Sequence, residues 1–346
     1  QQTPVTLCSD SAGWKMDGWM STMVQALHLR DSGTISHFLS LQIFGCGAVA
    51  QVTTSYDTKG QFLSINLAFA IGITFGVHIA HGISGAHLNP AVSLAFCLIG
   101  RFQWSKLPFY VLSQIIGAYL GAATVFAQYY DAIMSYGGGN LTVTGPTATA
   151  YIFATYPAAY LTTANGFVDQ VVGTGALLLC LMALVDTRNS PAPKGLEPAL
   201  VGTIVLVIGI AMGSNCGYAI NPARDLGPRL FTYTAGWGLD VFTAGNYWCW
   251  VPLVAPLVGA ILGCIIYLLF IEIHHSRKED EKQTNERGNT EYDIDLDEWK
   301  PNKRNLTTLT ASDKVHIINN PFQEGQSENS DWKKSSCNEE CIVNRF

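Results

Sequence analysis

The sequence predicts an all-α membrane protein, with six transmembrane helices and two re-entrant half-helices in an inverted repeat. Three observations predict it. Of 346 residues, 48% are hydrophobic and only 13% charged, against about 25% charged in an ordinary soluble domain. The apolar runs are long and nearly free of charge up to Glu272, after which Lys, Glu and Asp crowd the chain. The tripeptide Asn-Pro-Ala occurs twice, at 89–91 and 221–223, each time within apolar sequence.

The elements follow in order. Residues 1–34 are poorly patterned and form a cytoplasmic N-terminal segment. The chain opens on Gln rather than Met, as a fragment or an altered gene model does. A spanning helix needs about 20 mostly apolar residues. Residues 35–52 give a first span, interrupted by Ser36, His37, Ser40, Gln42 and two Gly. Residues 61–80 give a second, and the first Asn-Pro-Ala box then starts a half-helix that ends near Gly100-Arg101. Residues 107–127 are a third span, and 128–165 are a long polar connection. The fourth, fifth and sixth spans fall at 166–185, 196–212 and 251–271, with the second box directly after the fifth. The channel domain is therefore 35–271, in two halves of about 35–127 and 166–271. The boxes lie 221 − 89 = 132 residues apart. Each half reads as two spans, a half-helix and one span, and an odd number of spans forces the second copy to insert upside down. Residues 272–346 are polar and read as a disordered cytoplasmic tail.

Lys and Arg in short loops set the orientation. Arg101 and Lys106 follow the first half-helix, Arg188 and Lys194 separate spans four and five, and Arg277 and Lys278 follow span six. Between Lys106 and Arg188 there is no Lys or Arg. Both termini are thus expected in the cytoplasm and the 128–165 loop outside. Asn140-Leu141-Thr142 then becomes an N-glycosylation acceptor, whereas Asn305-Leu306-Thr307 is on the wrong side. Asn320-Pro321-Phe322 resembles an endocytic-adaptor motif, although chance explains a tripeptide. The cysteines near apolar runs are small fillers, and Cys337 and Cys341 are too sparse for a zinc site.

Asn-Pro is a helix start. Asn caps the first turn, and Pro fits the first helical position because its missing N–H is unneeded there. About ten residues of helix rise about 15 Å, half of a roughly 30 Å hydrocarbon core. Two such half-helices entering from opposite sides meet N-terminus to N-terminus, with their positive dipole ends on one central point. The Gly-rich stretches before the boxes are expected to be extended backbone, which survives at membrane depth only where it lines a watery cavity or is buried in protein. The carbonyls of Gly85, Ala86, His87 and Leu88, and of Asn215, Cys216, Gly217 and Tyr218, are expected to form a ladder of acceptors, with Asn89 and Asn221 as donors. Arg224, three residues after Asn221, is costly at this depth and is expected to face a polar path. Asp225 is expected in a structural ion pair or hydrogen bond. His87 is a hydrogen-bonded structural residue or, alternatively, a titrating gate.

These residues resemble the aquaporins (major intrinsic proteins), specifically the aquaglyceroporin branch and the aquaporin-3, -9 and -10 group within it. The resemblance rests on both Asn-Pro-Ala boxes, the Arg224-Asp225 pair, Phe153-Ala154-Thr155-Tyr156-Pro157, Gly195-Leu196-Glu197, the run from Gly227 to Gly238, and Trp248 to Pro252. It implies the aquaporin fold and a homotetramer with one pore per subunit. It also implies a narrow filter of Phe69, Gly209, Tyr218 and Arg224, with Gly217 beside it. Strict water channels carry His where Gly209 falls, so Gly implies room for a carbon backbone. Two departures stand out. Residues 35–41 read Ile-Ser-His-Phe-Leu-Ser-Leu where the family has an Ala-Glu-Phe-Leu-Gly-like start, and the family's fourth-span Glu falls at Gln170, beside Asp169.

The function expected is a passive, proton- and ion-excluding channel for water and small uncharged solutes, chiefly glycerol and also urea, in the plasma membrane. Membrane lipid and further copies of the chain are the expected partners. No enzyme activity, cofactor, metal or nucleic acid is expected. Three rivals remain: a coupled transporter, a strict water channel, and a non-conducting or defective scaffold suggested by the atypical first span.

Overall fold

Inside hydrocarbon a chain must satisfy its backbone groups within each segment, so apolar runs become helices. In the computed structural model, which describes residues 41–275, every regular element among the described residues is helical. Helix α1 covers residues 41–54. Helices α2 (Phe62–Ser84), α3 (Pro90–Leu98) and α4 (Leu107–Tyr136) complete the first half. The second half holds α5 (Thr163–Val185), α6 (Glu197–Met212), α7 (Pro222–Thr232), the short α8 (Asp240–Tyr247) and α9 (Val251–Phe270). The N-terminal segment, the opening of the first span and the tail with Asn305, residues 320–322, Cys337 and Cys341 lie outside the described residues. So does the whole of a second unit, Gly288–Phe346.

Among the described residues, four stretches are long and apolar enough to cross a membrane: Phe62–Ser84, Trp104–Tyr136, Thr163–Val185 and Asp240–His274. Helix α6 is apolar but only 16 residues long. It breaks at Gly213 because the chain must turn there into the second box. The expected six spans correspond to α1, α2, α4, α5, α6 and α9. One boundary differs. The third span was expected to stop near 127, but α4 runs unbroken for 30 residues to Tyr136. Residues 128–136 are polar enough to suggest a loop, yet they contain neither Gly nor Pro, and Ile133 among them is fully buried. The helix ends at Gly137, before Gly138 and Gly139, both at positive φ.

The packing repeats as the sequence does. Helix α2 packs on α6, its counterpart in the other half. Half-helix α3 packs on α4 of its own half and α9 of the other, and α7 packs on α9 of its own half and α4 of the other. The two halves thus exchange half-helices across their interface.

At one end of the bundle the exits of α3, α5 and α9 are tied by charge. Glu272 pairs with Arg101 at 3.2 Å and with Arg188 at 2.5 Å. Asp186 accepts from the Arg188 N–H at 3.0 Å and the Tyr267 hydroxyl at 2.9 Å, and faces His275 at 3.0 Å. Burial pushes the Asp186 carboxyl up, but the Arg188 N–H, Tyr267 and His275 together outweigh it and hold the group below its ordinary range.

Candidate functional site: a passage between two facing half-helices

Both boxes cap helices. Asn89 is extended at φ −160°, and its side-chain oxygen accepts from the Ala91 N–H at 2.8 Å, with Pro90 at the first helical position. Asn221, at φ −151°, accepts from the N–H groups of Ala223 at 3.1 Å and Arg224 at 3.2 Å, with Pro222 next. The amide nitrogens cross over. Asn89 Nδ2 donates to the Ile220 carbonyl at 2.7 Å, and Asn221 Nδ2 donates to the Leu88 carbonyl at 2.6 Å. These reciprocal bonds join the two half-helix N-termini.

The loops before the boxes are not extended, contrary to expectation. In the first, Gly85, Ala86 and Leu88 have φ of 70°, 49° and 58°; in the second, Gly217, Tyr218 and Ile220 have 73°, 37° and 41°. The left-handed positions fall at the same offsets from each Asn. Non-Gly residues rarely adopt this conformation, and it persists where surrounding contacts over-determine it. Here the crossed amide bonds fix one end of each loop. In addition, Gln170 Oε1 accepts from the Ile220 N–H at 2.8 Å, so Gln suffices where the family resemblance placed Glu. Two members of the expected ladder are bonded within the protein. The Leu88 carbonyl takes Asn221, and the Asn215 carbonyl takes the Ala158 N–H at 2.8 Å.

Two cavities approach each other along the bundle. A narrow one of about 130 Å³ is lined by Gly85, Ala86, His87, Leu88, both box asparagines and, further along, His81 and Glu197. A wide one of about 630 Å³ is lined by Tyr56, Tyr151, Pro157, Asn215, Cys216 and Gly217 among others. Phe69, Tyr218 and Arg224 line both. The first pore loop lines the narrow cavity, the second runs from the wide cavity (Asn215 to Gly217) into the narrow one (Ala219 and Ile220), and the passage pinches at these three side chains. The Phe69 and Tyr218 rings stand edge to face at 6.2 Å, and the Arg224 guanidinium lies 4.8 Å from the centre of the Phe69 ring. Arg224 Nη1 donates to the Phe153 carbonyl at 3.0 Å. Gly209 lines neither cavity, but a Cβ there would lie 2.6 Å from Asn66 Oδ1 and 2.9 Å from Tyr218 Cζ. The Tyr218 ring therefore rests in space that a side chain at 209 would take.

Asp225 faces away from the passage. It pairs with Arg229 at 2.8 Å, both residues almost wholly buried, and accepts the Thr155 N–H at 2.7 Å. Arg229 also donates to the Val241 and Thr155 carbonyls and lies 4.6 Å from the Tyr156 ring centre. His87 Nδ1 is 3.2 Å from Ser93 Oγ, with its ring packed on Phe96, Phe102 and Tyr110. Cys216 is buried, its Sγ 3.1 Å from Asp169 and 3.0 Å from Gln170 Nε2. Asn140 is exposed at the end of the α4 turn.

Sequence reasoning missed two side chains. Gln42 was counted only as a polar interruption of the first span, yet it is fully buried and bonded to the Arg224 carbonyl at 3.0 Å. Arg229 stood only within a family-like run, although an Arg four residues after Asp225 on one helix face is a readable pairing.

Comparison with known proteins agrees with this geometry. The family described as "Major intrinsic protein" matches residues 32–267. Human aquaporin-10 is 54% identical over 235 residues, covering 68% of this chain and 78% of the relative. Human aquaporin-9 is 50% identical over 279 residues, covering 80% and 91%. The X-ray structure of the aquaglyceroporin from Plasmodium falciparum superposes with a TM-score of 0.65 at 31% identity, over 71% of this chain and 98% of that one. Two half-helices facing each other across a membrane passage define the class. The chain belongs to the major intrinsic protein family, in its aquaglyceroporin branch.

Proposed function

We propose that this protein is a passive channel for water and glycerol, with urea as a further solute, in the plasma membrane. The observation that carries the reading is the pinch between the cavities, where the Phe69 and Tyr218 rings stand edge to face and the guanidinium of Arg224 lies over Phe69. A polyol has a C–H side and a hydroxyl side, and this slot offers an apolar wall to one and a donor to the other. Beyond the pinch, the solute passes the two box asparagines and then the loop residues 85–88. Each asparagine amide has two hydrogens and spends one on the opposite loop, so one remains for a passing oxygen. Arg224 and the two half-helix N-termini repel cations, and no covalent step is involved.

The topology proposed has both termini in the cytoplasm. It is supported by Arg101 and Arg188, which come from two loops expected on the same side and meet at Glu272. Four copies of the chain, each with its own passage, are proposed to assemble in lipid. In that topology Asn140 carries an N-glycan. Peptide-N-glycosidase is expected to shift the gel mobility of the cell-expressed chain. Asn140→Gln should abolish the shift, and a shift that survives it places the glycan elsewhere.

Stopped-flow light scattering on proteoliposomes tests the function. Fast shrinkage followed by fast reswelling in glycerol, without a pH gradient, is the expected result. Reswelling that requires a proton gradient means a coupled transporter, fast shrinkage alone means a strict water channel, and neither phase means a scaffold.

A further inference from the structure

The helix that carries Arg224 contains a proline at a consequential place. Within α7 the Arg224 carbonyl would normally accept from the N–H four residues on, but that residue is Pro228. Proline has no N–H, and its ring also pushes against the carbonyl four residues back. The freed carbonyl is buried, because Arg224 is only 9% exposed. A buried backbone acceptor needs a partner from elsewhere.

The partner comes from α1. Gln42 Nε2 donates to the Arg224 carbonyl at 3.0 Å, across 182 residues of sequence. The amide is fixed in that sense, because Cys46 Sγ, one turn on, donates to Gln42 Oε1 at 3.1 Å. The oxygen is thereby occupied and the nitrogen turned toward Arg224. The same face of α1 carries Gly45, where a Cβ would lie 2.1 Å from the Phe69 ring. One face of the first helix therefore touches the Arg224 backbone and backs the Phe69 ring.

We propose that Gln42 is a positioning residue for the filter: it replaces the hydrogen bond that Pro228 denies to the Arg224 carbonyl, and so fixes the guanidinium of Arg224 against Phe69. The inference rests on the channel reading above. It makes the atypical first helix part of the selectivity apparatus, in contrast to the defective scaffold suggested by the sequence alone.

The test compares Gln42→Leu and Gln42→Glu, each alone and combined with Pro228→Ala, in proteoliposomes. Water and glycerol permeabilities are normalised to the amount of folded protein by size-exclusion chromatography. Leu removes the donor, and Glu keeps the shape while setting an acceptor against the carbonyl. Both variants are expected to change the glycerol-to-water permeability ratio by about threefold or more, as the loss of one buried hydrogen bond does. Pro228→Ala restores the N–H within α7, so the combined variants are expected to return to within about twofold of wild type. A merely structural role for Gln42 moves protein yield without moving the ratio, and it is not rescued from position 228. A conducting wild type with Gln42 variants of unchanged ratio, or with a changed ratio that Pro228→Ala leaves in place, overturns the inference alone. A wild type without glycerol flux overturns the channel reading, and this inference with it.

Discussion

Gly209→His is expected to lower glycerol permeability by about tenfold or more while lowering water permeability by less than about threefold, since steric discrimination at a pocket wall is of this order. The reason lies in Tyr218. Even a Cβ at 209 would fall 2.6 Å from Asn66 Oδ1 and 2.9 Å from Tyr218 Cζ, closer than non-bonded atoms stand. An imidazole there must drive the Tyr218 ring toward Phe69 and Arg224, the other two walls of the pinch. Glycerol needs the width that this removes, and a single file of water needs less. The measurement is the pair of permeabilities from one proteoliposome preparation. Equal losses of both would mean that Gly209 serves the packing of α6 on α2 and has no part in setting the aperture.

Arg229→Met is expected to destabilise the protein by about 3–5 kcal/mol, the range for breaking a buried ion pair on one side. Asp225 is fully buried, and the substitution leaves its charge with the Thr155 N–H and hydroxyl as its remaining donors. The apparent Tm in detergent, followed by tryptophan fluorescence, should fall by more than about 6 °C for a chain of this size. Adding Asp225→Asn is expected to recover part of the loss, because no uncompensated charge then remains. A melting curve for Arg229→Met that overlays the wild type would show that the pair contributes nothing net. Because Asp225 faces away from the passage, the permeability ratio of whatever protein survives should be unchanged.

The architecture was legible where physics acts locally. Asn followed by Pro caps a helix wherever it occurs, so α3 and α7 begin where the boxes predict. The repeat was legible in the spacing of apolar runs. What the sequence hid was long-range or conformational. Nothing in Gly85 to Leu88 or Gly217 to Ile220 announces left-handed backbone at Ala86, Leu88, Tyr218 and Ile220, because the crossed asparagine bonds that help hold it come from residues 131 and 133 positions away. Gln42 looked like a flaw in an apolar helix, since its partner lies on α7. The end of α4 was misplaced for the opposite reason. A run of polar residues suggested a loop, but a helix that projects beyond the hydrocarbon does not need apolar residues to continue.

The crossed asparagine bonds also govern the order in which the molecule can mature. The Leu88 carbonyl and the second contact of Asn89 await residues 220 and 221, which a ribosome adding about 5–20 residues per second reaches roughly 7–26 s later. During that interval the first half sits in the bilayer with its half-helix entrance unfinished, and the 129 residues between the boxes (92–220) must be threaded and turned over before it can close. Neither half is a smaller working version of the whole. Premature termination between residues 89 and 220 leaves a product in which the Asn89 amide and the Leu88 carbonyl lack the partners they have in the whole chain.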